Sequence, residues 1–147
     1  MLHPKEVAEP EKVPPFDLDV FVVNLEGEFD IAERVRLLDA FALTANASVV
    51  VVNFEKTRYV DSSVLECLVS LERAVTGRGA TLRLVGLRSE IRRIFDVCGL
   101  DRIFDIRNKL SDVPEALDVD QSRVRRLALI VEPAIESEPD ETVGSSR

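Results

Sequence analysis

The chain has no tryptophan, one tyrosine, one methionine, two cysteines and a single histidine in 147 residues. Each scarcity removes a class of function. The histidine is His3, inside a proline-rich opening stretch, so neither a Ser-His-Asp relay nor a histidine metal centre can be drawn from the body of the chain. No G-x-x-x-x-G-K-[ST] loop and no G-x-G-x-x-G turn occurs, and Gly77-Arg78-Gly79 reads as a break between a helix and a strand. We therefore expect no enzymatic activity, no metal and no cofactor. Positive charge is also short: 19 Lys and Arg against 27 Asp and Glu give a formal charge of −8 and a pI near 4.8. That leaves no basic field to hold a phosphate backbone, so direct binding of nucleic acid is not expected. Apolar runs such as Val49–Val52 and Leu127–Val131 fall far short of the roughly 20 residues of a membrane helix, and the opening stretch has no basic-then-apolar signal pattern. These features predict a cytoplasmic protein with no membrane insertion. Cys67 and Cys98 each fall in a helical apolar pattern, which predicts two buried, reduced thiols.

What is present is aliphatic. The chain is 46% hydrophobic with only 5% aromatics, and Val, Leu, Ile and Ala supply most of the apolar content, as a buried sheet under helices requires. One core is the expectation for this length. Residues 1–16 carry four prolines and read as a disordered arm, residues 17–130 as one α/β domain, and residues 131–147 as an acidic disordered tail.

Within the domain, "DVFVVNLEG" predicts a strand that Gly27 ends. Asp30 and Glu33 resemble a capping box, and Ile31, Val35, Leu38 and Ala42 recur at helical spacing as the apolar face of a first helix. "SVVVVNF" is apolar at every position, which implies cover on both faces and a central place in the sheet. A second helix follows Asp61, then "TLRLVG" as a strand, so that strand, helix and strand suggest a right-handed crossover between parallel neighbours. Ile91, Ile94, Phe95 and Cys98 mark a third helix, which Gly99 can end in the left-handed conformation. "RIFDI" predicts a short edge strand, and "DVPEALDVDQSRVRRLAL" a fourth helix that Ser111 can cap.

The stretch "RYVDSSVLECL" carries the chemistry. Ser63 and Glu66 match the S-x-x-E capping box, which would make the serines structural. The same place suits phosphorylation, because the free N–H groups and the dipole at a helix start favour a phosphate. Val64, Leu68, Leu71 and Val75 form the buried stripe of this helix, leaving Ser62, Glu66, Ser70 and Arg73 on the exposed face. Arg88, Arg92 and Arg93 could bind an anion, and Arg123, Arg125 and Arg126 could pair with the acidic tail.

"GEFD" at Gly27–Asp30, "VDSS" at Val60–Ser63 and "LRSEIRRIFDVCGLDRIFDI" at Leu87–Ile106 occur in the order and spacing of the STAS family, and the chain resembles its anti-sigma factor antagonists over about Leu18–Leu117. The resemblance implies an α/β fold, a small mixed β-sheet of about four to five strands flanked by about four helices. It also implies partner switching: the unmodified protein binds an anti-sigma factor with serine kinase activity and frees a sigma factor, phosphorylation ends that binding, and a phosphatase resets it. Carried over, Ser62 is the phosphoacceptor with Ser63 as the alternative, and Asp30, Asp61, Ser62, Ser63, Glu66, Ser70 and Arg73 form the partner surface. Where the family's serine motif continues with Gly, Leu, Gly, this chain has Val64, Leu65 and Glu66. The same fold also resembles the small subunit of lipid-transport ABC systems and scaffold units of stress-signalling assemblies, which need a docking face without that phosphate cycle.

Overall fold

The computed structural model describes residues 18–113 and 124–134. The expected arm, most of the expected tail and the first part of the expected fourth helix lie outside these residues. Seven strands and three α-helices are described: β1 (Leu18–Leu25), β2 (Gly27–Phe29), α1 (Arg34–Ala42), β3 (Val49–Asn53), β4 (Thr57–Val60), α2 (Ser62–Gly77), β5 (Thr81–Val85), α3 (Ser89–Val97), β6 (Asp105–Arg107) and β7 (Val124–Val131). Five of the strands form one sheet in the order β6-β5-β3-β1-β7, and β2 pairs with β4 in a small second sheet.

Alternation along the central strands explains the layers. Val50 and Val52 of β3, with Val23 and Leu25 of β1, enter the large core under the helices, together with Leu37, Leu68, Ile91 and Phe95. Val49 and Val51, with Val20 and Val22, point to the opposite face and meet Val85 and Val113. Successive side chains of a strand face opposite ways, so the all-valine run of β3 is buried on both sides and its place is central, as its sequence implies. Phe95 fixes α3 by edge-on contacts with Phe54 and Phe104, at centroid distances of 6.5 and 5.7 Å.

The α/β class holds, with three corrections. Among the described residues every pairing in the large sheet is parallel, where a mixed sheet was expected. Its strands are reached by crossovers that each carry the chain back to the same end, which makes neighbours parallel. Second, the expected fourth helix gives way to β7 over Val124–Val131, leaving three α-helices among the described residues. A short apolar run fits either period, and here the open edge of β1 decides. Eight residues of β7 pair with β1, from Leu18 opposite Val124 to Leu25 opposite Val131. Arg125 lies opposite Asp19 and forms a two-pronged ion pair with it, at 2.8 and 3.2 Å; most of the tail that Arg123, Arg125 and Arg126 could meet lies outside the described residues.

Third, α1 buries a different face from the one expected. Leu37, Ala40 and Phe41 are inside, whereas Ile31 and Val35 are about two-thirds exposed and Leu38 lies at the surface. A 3-10 turn over Ile31–Glu33 precedes the α-helix and shifts the phase of the first turn. Two apolar stripes share this helix, and the one with Phe41 has more area to remove from water.

Candidate functional site

The two short strands that the sequence reading missed, β2 and β4, build the site. They run parallel with Phe29 opposite Val60, so the next residue on each, Asp30 and Asp61, leaves the same end of the small sheet. Gly27 begins this arrangement with a φ of +119°, where a side chain would be strained, and a Cβ there would lie 2.9 Å from Pro133 Cδ.

Asp30 caps the 3-10 turn, its Oδ1 accepting from Ala32 N at 2.9 Å. Glu33 does not complete a capping box. Its buried carboxylate instead accepts from Ala134 N at 3.3 Å and pairs with Arg36 at 3.4 Å. Asp61 uses both oxygens. Oδ1 accepts from Ser63 N at 2.9 Å and Val64 N at 3.2 Å, capping α2, while Oδ2 accepts from Ile31 N at 3.1 Å. The cap is therefore Asp61, not Ser63, since an ionised carboxylate accepts these N–H groups more strongly than a hydroxyl and also meets the positive end of the helix dipole. Glu66, the expected return half of that box, points instead at Arg34 on α1, 3.8 Å away.

This geometry frees the serines from the structural role. Ser62 is the first residue of α2 and is exposed, while Ser63 is half-buried. Among the described residues neither hydroxyl makes a hydrogen bond. Two of the N–H groups that the helix start would offer a phosphate, those of Ser63 and Val64, are already taken by the Asp61 carboxylate. A phosphate on Ser62 would stay in solvent as added negative charge beside Asp30, Asp61 and Glu66.

Glu66, Ser70 and Arg73 share the exposed side of α2 with Ser62. A shallow groove of ≈ 430 Å³ runs beside them, with Leu65, Val69 and Leu100 as apolar lining and Cys98 at its wall. Exposed Ile31, Val35 and Tyr59 extend an apolar surface around the caps. Sequence reasoning missed these three, because apolar side chains at helix or strand spacing are assigned to the core first. A larger cleft of ≈ 980 Å³ is lined by Glu26, Glu28, Lys56, Arg58 and Arg88 and does not include Ser62. Lys56 and Arg58 pair there with Glu26 and Glu28.

Cys67 is buried as expected and Cys98 is not. Residue 98 follows the last turn of α3 and turns outward before Gly99, whose φ is +76°. Native protein should thus be alkylated by N-ethylmaleimide at Cys98 alone, with Cys67 reacting only after unfolding, as peptide mass spectrometry would read. Burial pushes the Cys67 thiol pKa up, Arg34 opposes this, and Glu66 and Asp61 add to it. The native state therefore keeps a proton that the unfolded chain loses. This contribution to stability is complete below the ordinary thiol value of about 8.5 and is lost as pH rises through the raised native value.

Among the described residues no helix is long and apolar enough to cross a membrane, and no group of three or more His, Cys, Asp or Glu could hold a metal ion. The family model described as "Mlab, STAS domain" matches residues 15–110. The anti-sigma-B factor antagonist of Bacillus subtilis (strain 168) is 30% identical over 88 residues, which cover 59% of this chain and 81% of that protein. Two solved structures share the fold. A sulfate transporter family protein from Wolinella succinogenes superposes with a TM-score of 0.59 at 15% identity, covering 66% of this chain and 84% of that one. The phosphorylated form of the Bacillus cell fate determinant SpoIIAA gives 0.52 at 17% identity, covering 65% and 89%. With the family model spanning most of the fold and the antagonist aligned over most of its own length, the chain belongs to the STAS domain family, anti-sigma factor antagonist type.

Proposed function

We propose that the protein is an anti-sigma factor antagonist that binds an anti-sigma factor with serine kinase activity, frees a sigma factor, and is switched by phosphorylation of Ser62. The observation that carries this reading is the division of labour at the start of α2: Asp61 makes the cap and leaves the exposed Ser62 hydroxyl without a structural bond. Ser63 is the less accessible alternative. Asp30, Asp61, Ser62, Ser63, Glu66, Ser70 and Arg73 form the docking surface, and the apolar groove beside α2 takes a side chain of the partner. A phosphate of about −1.5 to −2 charges at Ser62 changes the field of this surface without disturbing the cap, so a partner that accepts the unmodified acids is repelled while the fold stays intact. Removal of the phosphate by a phosphatase restores binding.

The test is affinity capture from the host with chains carrying Ser62, Ser62→Ala or Ser62→Glu. The first two should retain a serine-kinase anti-sigma factor, and Ser62→Glu should bind it at least about tenfold more weakly, a difference of about 1.4 kcal/mol. Equal retention by Ser62→Glu would count against the switch. One observation favours a second reading, a subunit of a lipid-transport ABC system or of a stress-signalling scaffold. Val64 and Glu66 fill α2 where the resembling switch proteins have glycines, narrowing the approach to Ser62. Capture of a transporter ATPase or a large scaffold, with Ser62 unmodified, would support that reading instead.

A further inference from the structure

β7 ends the large sheet in space, and among the described residues nothing pairs with its outer side. The opposite edge, β6, has three residues, whereas this one has eight. Its backbone polarity follows from two bonds. The carbonyl of Val131 accepts from Glu26 N at 3.0 Å and that of Leu129 from Asn24 Nδ2 at 3.3 Å, so the odd-numbered residues of β7 turn their N–H and C=O groups toward β1. Ala128 and Ile130, and by the same alternation Arg126 and Glu132, turn theirs away from the sheet. Long edges are commonly blunted by lysine, proline or a bulge. Val124–Val131 contains no lysine and no proline, its register with β1 runs without a break, and Leu127, Ala128 and Ile130 are exposed.

We infer that two copies of this chain associate by antiparallel pairing of β7 with β7, joining their large sheets into one. A two-fold axis between the copies limits which residues can meet. Outward-facing residues exchange backbone bonds only with outward-facing residues, and the register with Leu129 on the axis sets Arg126 opposite Glu132 of the second copy. Ala128 then faces Ile130 and Leu127 faces Val131, so apolar meets apolar on both sides of the joined sheet. Opposite charges directly across a strand pair are favourable, and like charges are not. Glu132 is exposed, and its carboxylate has no partner among the described residues. Arg126 has a contact of its own, and the several N–H donors of a guanidinium leave capacity for a second. Other registers lose this match. With Ala128 on the axis, Arg126 meets Ile130 and Glu132 meets Val124; with Arg126 on the axis, two guanidinium groups are opposed. Charge complementarity thus selects a second copy in one register. The arm of residues 1–16 is a poorer occupant, because Pro4, Pro10, Pro14 and Pro15 leave Lys5–Glu9 as its longest run without proline.

None of Asp30, Asp61, Ser62, Glu66, Ser70 and Arg73 lies on β7, so a dimer presents two Ser62 surfaces. That consequence rests on the Ser62 reading; the pairing itself does not. Sedimentation equilibrium of the full chain, from micromolar to millimolar concentration, should show a monomer in equilibrium with a dimer. Ile130→Lys, at a position 58% exposed, should raise the dissociation constant at least about tenfold, with the urea midpoint of dilute, monomeric protein unchanged. Glu132→Arg should weaken the dimer in the same way, and Glu132→Arg combined with Arg126→Glu should restore it. A chain that stays monomeric throughout overturns the pairing, and slow amide exchange at Ala128 and Ile130 in that monomer would show the edge covered from within the chain. A dimer that Ile130→Lys leaves intact forms on another surface and also overturns it. A dimer that Ile130→Lys breaks but Glu132→Arg leaves unchanged overturns the register. No kinase or anti-sigma factor enters these measurements, so their failure leaves the Ser62 switch standing.

Discussion

A chain ending at Arg123 should lose its cooperative urea transition, whereas one ending at Ala134 should unfold at the midpoint of the full chain. The first lacks β7 and everything after it. Without β7, all eight paired positions of β1 become an open edge, and the ion pair between Arg125 and Asp19 is lost. Val131, itself 5% exposed, disappears from the core, and Val20, Val23 and Leu25, fully buried at present, lose the strand beside them. Fully exposing a Val or Leu costs about 1.5–3 kcal/mol, so uncovering three approaches the total stability of about 5–15 kcal/mol for a small domain. A long parallel edge of β1 would also be open to pairing with other chains. The measurement is circular dichroism against urea, with sedimentation to detect association. An unchanged slope and midpoint for the chain ending at Arg123 would mean that β7 is not part of the cooperative unit.

The importance of β7 bears on what the sequence makes legible. Val49–Val52 could be placed at the centre because burial on both faces leaves a continuous apolar run, and Gly99 could be placed at a helix end because a positive φ favours glycine. Those signals are local. The identity of Val124–Val131 is not, since five consecutive apolar residues after two arginines fit a helix as well as a strand until the unpaired edge of β1 is known. The resemblance also offers no guide there, because it ends at about Leu117. The two stripes of α1 pose the same difficulty in another form, as both have helical spacing and only the sheet beneath decides between them. At the candidate site, the stretch with Asp61, Ser62 and Ser63 was legible as a helix start. Its cap was assigned to the wrong residue, because a serine followed three residues later by glutamate satisfies the pattern without revealing that the preceding aspartate already holds the same N–H groups. The pairing of β2 with β4, which brings Asp30 and Asp61 together, is only three or four residues long and leaves no periodic trace.

Asp61→Ala separates these accounts of the cap and should be the most damaging single change at the site. It removes the acceptor of Ser63 N and Val64 N, and the acceptor of Ile31 N on the neighbouring segment. Loss of an N-cap costs about 0.5–2 kcal/mol, and the additional bond contributes about 0.5–1.5 kcal/mol. We therefore expect a loss of about 1–3.5 kcal/mol, which for a domain of this size lowers Tm by about 4–14 °C. Ser63→Ala, whose hydroxyl makes no hydrogen bond among the described residues, should lie within about 0.5 kcal/mol of wild type. If Ser63 were the cap, that order would be reversed. Asp61→Asn should fall between the two, because its carbonyl oxygen can keep the cap while its amide nitrogen cannot accept from Ile31 N. The pair of readouts also connects stability to function. Asp61 is the bridge between the turn after β2 and the start of α2, so in Asp61→Ala the exposed Ile31 and the exposed Ser62 no longer hold a fixed relation. Partner capture should then fall even with Ser62 intact, and it should fall less with Asp61→Asn, in step with the thermal shift. Capture lost in Asp61→Asn without a thermal shift would instead assign the Asp61 carboxylate to direct contact with the partner.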